Sequence, residues 1–153
     1  MYIRNPNELA DAVKAAFGDQ ILDSRVFKDE LTITVPSEEI YPIMERLEGD
    51  EAFDFALLVD ITAVDYAGYG LEEWDVEASN LGFSRGVEDG SVGRSADELA
   101  STRENAGIEA RFAVVYHLLS LTHNARIRVK AYLNGVEEGS LPMIDSVIGV
   151  WES

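Results

Sequence analysis

The stretch RFAVVYHLLSLTHNARIRVKAYL, residues 111–133, decides the fold. Two runs of strand-forming residues, 111–121 and 126–133, lie on either side of residues 122–125, which have the length and composition of a tight turn. The stretch therefore predicts a hairpin of two long strands.

The first strand of this hairpin is apolar on both faces. Because successive side chains of a strand point to opposite sides, one face holds Val115, Leu119 and Leu121, and the other holds Phe112, Val114, Tyr116 and Leu118. Strands with this pattern are usually covered on both faces. Helices on one side cannot do this, so we expect the second face to be covered by the insertion described below, by further chain or by another protein.

The residues before position 50 predict a helix, a hairpin and a second helix. Asn5 and Pro6 suit the N-cap and the first position of a helix that Gly18 ends. Residues 21–35 alternate with period two on either side of the polar pair Lys28-Asp29, which predicts a second hairpin.

The second helix follows Pro36 and ends near Gly49, with Pro42 in its first turn. Residues 53–64 are apolar and β-branched and predict a third strand, in which Phe55, Leu57, Val59 and Ile61 alternate with a face that carries Asp60 and Thr62. Residues 142–151 predict a short helix.

Residues 67–110 are rich in glycine and acidic side chains and have no sustained hydrophobic period, which predicts a flexible insertion. The chain of 153 residues is expected to form a single domain, 1–153. The predicted class is α+β, with two helices on one face of a mixed sheet of about five strands. The order is helix, strand, strand, helix, strand, strand, strand, and the insertion separates strands three and four.

The charge balance excludes several functions. The chain has 12 Lys and Arg against 29 Asp and Glu, a formal net charge of −17, which repels nucleic acid and anionic lipid. It has no cysteine, and therefore no thiolate ligands for zinc or for an iron-sulfur cluster. No apolar run approaches a membrane span, and the N-terminus lacks the pattern of a signal peptide. We expect a cytoplasmic chain with no metal or cofactor of its own.

The segment Gly82-Phe83-Ser84-Arg85-Gly86 matches the G-x-S-x-G pattern of serine hydrolases, and Ser84, Asp97 and His117 follow in the order of an α/β-hydrolase triad. That chemistry needs an apolar strand before the serine and a helix after it. The flanking residues here are polar before the motif and glycine-rich after it. An ordinary glycine-rich loop is the favoured interpretation, and a stand-alone hydrolase built on Ser84 remains the alternative from a different class.

Other catalytic or binding patterns are weaker. The segment 68–73 begins like a dinucleotide-binding loop but places Glu73 where a glycine is required. His117 and His123 lack the spacing of a metal site, and a neutral histidine that is hydrogen-bonded within the sheet is favoured for His117. Asp60 and Asp65 fall on opposite faces of one strand and do not form a catalytic pair. No catalytic residue is predicted.

A basic triad, Arg126, Arg128 and Lys130, shares one face of the last strand in an otherwise acidic chain. It fits a solvated face paired with strand-three acids such as Asp60. It also fits a docking face for a partner of opposite charge.

The segments FALLVDITAVDY, residues 55–66, and RFAVVYHLLSLTHNARIRVK, residues 111–130, closely resemble the C subunit of NADH-quinone oxidoreductase, the 30 kDa subunit of respiratory complex I. Residues 142–151 are similar to a short helix that precedes the family's C-terminal tail. Residues 68–93 resemble an insertion of some bacterial members. The first 50 residues agree in pattern only.

The resemblance implies an α+β fold and a cofactor-free structural subunit of the hydrophilic arm. Its partners would be the D subunit and the other hydrophilic-arm subunits, at the cytoplasmic face of the bacterial inner membrane. A subunit of a related membrane-bound hydrogenase is the nearest alternative. The family continues past the tryptophan into an aromatic segment rich in Glu and Arg, whereas this sequence ends at Trp151-Glu152-Ser153. Contacts of that tail are not carried over.

Seven residues are expected to contribute to a partner interface. They are Tyr116, His117, His123, Arg126, Arg128, Lys130 and Trp151.

Overall fold

A computed structural model describes residues 5–66, 110–133 and 142–152. Apart from Asp65 and Tyr66, these residues belong to one compact unit formed by Met1–Val64 and Ala110–Ser153. The predictions that concern residues 67–109, namely the flexible insertion, the G-x-S-x-G loop and the dinucleotide-like segment, lie outside the described residues. The prediction of a single domain over 1–153 therefore remains a prediction.

The helices and strands confirm the predicted order. The helices are α1 (Pro6–Phe17) and α2 (Ile40–Gly49). The strands are β1 (Asp23–Phe27), β2 (Glu30–Pro36), β3 (Leu57–Asp65), β4 (Phe112–Ser120) and β5 (Ala125–Leu133). Short 3₁₀ turns occupy Gly18–Gln20, Ser37–Glu39 and Ile148–Val150.

The five strands form one mixed sheet in the order β1-β2-β5-β4-β3. Strand β2 pairs antiparallel with β1 and parallel with β5, and β5 pairs antiparallel with β4. The predicted α+β class with a mixed sheet is confirmed.

Local signals in the sequence set the ends of the first elements. The Asn5 side chain accepts a hydrogen bond from the main-chain N–H of Asn7 over 2.9 Å and caps α1, and Gly18 ends the helix with φ +53°. The hairpin between β1 and β2 turns through Lys28 and Asp29, with φ values of +48° and +60°. Two successive positive φ values are typical of the type I′ turn that suits the twist of a hairpin.

Both helices pack on one face of the sheet. Alternate residues of the three central strands are buried against the apolar sides of α1 and α2 in one core. The sheet contributes Leu31, Ile33, Val35, Val114, Tyr116, Leu118, Ile127, Val129 and Ala131, and the helices contribute Leu9, Val13, Phe17, Ile40, Ile43, Met44 and Leu47. Burial of this area is the main stabilising term of the fold.

One arginine joins the two helices. Arg46 of α2 donates a hydrogen bond from Nη1 to the carbonyl oxygen of Ala16 over 2.6 Å, and its guanidinium lies 4.7 Å from the ring centre of Phe17. The Phe17 ring lies 5.7 Å from that of Phe53, just after α2. Arg46 therefore satisfies a carbonyl at the end of α1 and fixes the two helices together.

Two predicted boundaries were wrong. Strand β3 begins at Leu57 rather than at Phe53, because Asp54 takes φ +46° and the N–H groups of Phe53 and Asp54 bond back to the carbonyl of Asp50. This turn buries Phe53 and Phe55 before the strand starts. Residues 142–151 form only the 3₁₀ turn Ile148–Val150 within otherwise irregular chain.

Candidate docking face of the sheet

The sheet face opposite the helices gathers the basic side chains of several strands. Residues Arg25, Thr32, Arg128 and His117 are direct partners across β1, β2, β5 and β4, so they form one row. In its own strand, each of these four residues stands next to a residue that packs in or against the helical core. Because side chains alternate along a strand, the four side chains point to the opposite face of the sheet. Arg126 and Lys130 lie two residues before and two residues after Arg128 in β5, so all three share one face of that strand.

The centre of this row is an ion pair. The Nη2 atom of Arg128 donates to Oε2 of Glu30 over 2.7 Å, and Nδ1 of His117 lies 3.9 Å from Oε1 of the same carboxylate. The side chains of Arg128 and Glu30 are 36% and 28% exposed, so water screens the pair only in part. Glu30 of β2 therefore contacts side chains of both β5 and β4.

The predicted partner of the basic triad was wrong. Asp60 lies on β3, which β4 separates from β5, and its carboxylate accepts a hydrogen bond from Thr62 over 3.2 Å. Glu30 of β2 takes its place, because β2 pairs directly with β5. The sequence shows the alternation within a strand but does not show which strands are neighbours.

The three cations of the triad differ in their surroundings. Arg128 is bound to Glu30, and the Nζ atom of Lys130 lies 3.3 Å from the hydroxyl of Tyr132 and 5.1 Å from its ring centre. Arg126 is exposed and makes no ion pair with any described residue. It borders an open cleft of about 700 Å³ that lies between the first turn of α1 and the two hairpin turns. Arg126 is therefore the cation of the triad that is most accessible to a partner.

An exposed apolar row lies on the same side of the sheet. In β3, Leu58 packs against the helical core, so the alternate residues Leu57, Val59 and Ile61 face away from the helices. Their exposed fractions are 42%, 55% and 49%. The sequence shows this apolar alternation, but it gives no sign that the row is exposed.

The structure brings together four of the seven predicted interface residues, His117, Arg126, Arg128 and Lys130. Tyr116 is buried on the opposite face of β4, where burial raises the pKa of its hydroxyl above the ordinary value. Trp151 is anchored elsewhere, with its Nε1 donating to the carbonyl of Phe55 over 3.1 Å.

His123 lies in the β4–β5 turn. Its main-chain N–H donates to Oγ of Ser120 over 3.2 Å, and its Nε2 lies 3.0 Å from the carbonyl oxygen of Glu51. Arg25, Thr32 and Glu30 lie on the same face of the sheet and were missed, because the pairing of β1 with β2 and of β2 with β5 is a long-range property.

The structure describes some of the residues that were considered for catalysis or metal binding. Of the conceivable triad, His117 is placed beside Glu30, and Ser84 and Asp97 lie outside the described residues. Over residues 5–66, 110–133 and 142–152, no group of three or more His, Asp or Glu side chains is arranged to hold a metal ion. In the same part of the chain, no helix has the length and apolar character needed to cross a membrane.

Comparison with known proteins shows the family of this chain. Residues 33–153 match the sequence profile of the family described as respiratory-chain NADH dehydrogenase, 30 Kd subunit. Because the match covers most of the sequence, the chain belongs to this family, as the resemblance predicted.

The similar proteins are named as the C subunit of NADH-quinone oxidoreductase. That of Halorhodospira halophila is 37% identical over 151 residues, which cover 95% of this chain and 59% of that protein. That of Hydrogenovibrio crunogenus is 39% identical over 145 residues, which cover 94% and 60% respectively. The Coxiella burnetii protein is 39% identical over 146 residues, covering 95% and 59%. The chain thus spans about three-fifths of the length of these relatives.

Proposed function

We propose that this chain is a cofactor-free structural subunit of a proton-translocating NADH-quinone oxidoreductase. It would support electron transfer from NADH to quinone by holding neighbouring subunits of the hydrophilic arm, with the D subunit as the first of them. Membership of the 30 kDa subunit family supports the complex. The docking role and the choice of the D subunit as the partner go beyond family membership and are part of this proposal.

The observation that supports the docking role is the exposed part of the sheet face opposite the helices. Two helices cover one face, whereas the other exposes the row Leu57, Val59 and Ile61 together with Arg126, which has no ion-pair partner among the described residues. An apolar strip of this kind favours association with another surface. A subunit that has to bind neighbours requires such a face, whereas a stand-alone hydrolase does not.

The proposed location is the cytoplasmic face of the bacterial inner membrane, where the chain would be held by its partners. The net charge of −17 supports attachment through protein rather than through anionic lipid, because the two would repel each other. We propose no cofactor of the chain's own, and elemental analysis of chelator-treated protein tests this directly. A stoichiometric transition metal that survives gel filtration would contradict it.

The test of the docking role is coexpression with the D subunit from the same source. Affinity purification through a tag on either chain should recover both, and light scattering after gel filtration should give the mass of one copy of each. A tagged chain of unrelated fold is the control for non-specific capture. Recovery of this chain alone, as a well-behaved monomer, would contradict the proposed role.

A further inference from the structure

We draw no further inference here: the strongest candidate, the exposed apolar row of Leu57, Val59 and Ile61 on strand β3 at the edge of the sheet, carries no proposal because nothing in the described part of the chain shows what covers it.

Discussion

Trp151 holds the main chain of Phe55 at the point where β3 is about to begin, with the indole Nε1 donating to the Phe55 carbonyl oxygen over 3.1 Å. The Phe55 side chain is fully buried, and its N–H donates to the carbonyl of Leu47 at the end of α2. The C-terminal segment is therefore attached to the junction between α2 and β3.

Trp151→Phe keeps an aromatic ring but removes the N–H donor. We expect the free energy of unfolding to fall by about 1 kcal/mol, because the carbonyl of Phe55 loses its partner. Urea denaturation followed by circular dichroism measures this change. Ile148→Thr, in the same segment but 62% exposed, should change stability much less. Equal effects of the two substitutions would mean that the hydrogen bond contributes nothing specific.

Arg46→Met keeps an unbranched, flexible side chain but removes both the hydrogen bond to Ala16 and the cation contact with the Phe17 ring. Each interaction contributes on the order of 1 kcal/mol at an exposed site, so unfolding should become easier by about 1 to 2 kcal/mol. Lys14→Met removes an exposed cation of α1 and should have little effect. If the two variants unfold at the same urea concentration, Arg46 does not join the helices in solution.

Asp29 is in the left-handed region, with φ +60°, where a side chain costs about 1 kcal/mol and glycine costs almost nothing. Asp29→Gly should therefore raise the free energy of unfolding by a few tenths to about 1 kcal/mol. Asp29→Ala should lower it, because alanine tolerates this conformation less well than aspartate does. The opposite signs are the diagnostic result, and a loss of stability in both variants would show that the Asp29 carboxylate has another role.

Tyr116 gives a prediction about alkaline pH. Burial raises its pKa in the folded chain above 10.0, the value expected when it is exposed by unfolding. Between these two values the unfolded chain binds fewer protons than the folded chain, so stability falls as pH rises. At neutral pH both states are protonated and the stabilisation is fully present.

Tyr116→Phe removes this titration. The wild-type chain should lose more stability than the variant when urea denaturation at pH 7 is compared with denaturation above pH 10. Each chain at neutral pH serves as its own control, since any packing effect of the lost hydroxyl is present at both values. Parallel losses in the two chains would show that Tyr116 does not contribute to alkaline unfolding.

The sequence predicts the elements whose signals are local. The cap at Asn5, the stop at Gly18 and the turn at Lys28 and Asp29 each depend on residues within one turn of chain, and the structure has all of them. The start of β3 was not predicted, because the left-handed conformation of Asp54 is selected by the burial of Phe53 and Phe55.

The residues of the candidate docking face were brought together by the sequence only in part. The alternation of Arg126, Arg128 and Lys130 is visible in the sequence, and they share a face as expected. Their neighbours Glu30 and Arg25 join them only through pairing between β2 and β5 and between β1 and β2. Burial of Tyr116 depends in the same way on which face the helices cover. Properties of this kind arise from tertiary structure and have no local signal.

The parallel pairing of β2 with β5 has a consequence for synthesis of the chain. Glu30 and Arg128, which meet across these strands, are 98 residues apart. While the ribosome is still adding the middle of the chain, α1 and α2 are already complete, but β5 has not been made. Strand β2, which carries Leu31, Ile33 and Val35, then lacks its parallel partner. Contacts between distant residues form slowly, and exposed strands aggregate while they wait. We therefore expect the chain to need chaperones most while only its N-terminal half has been synthesised, and its yield in a cell to depend on their supply more than its final stability suggests.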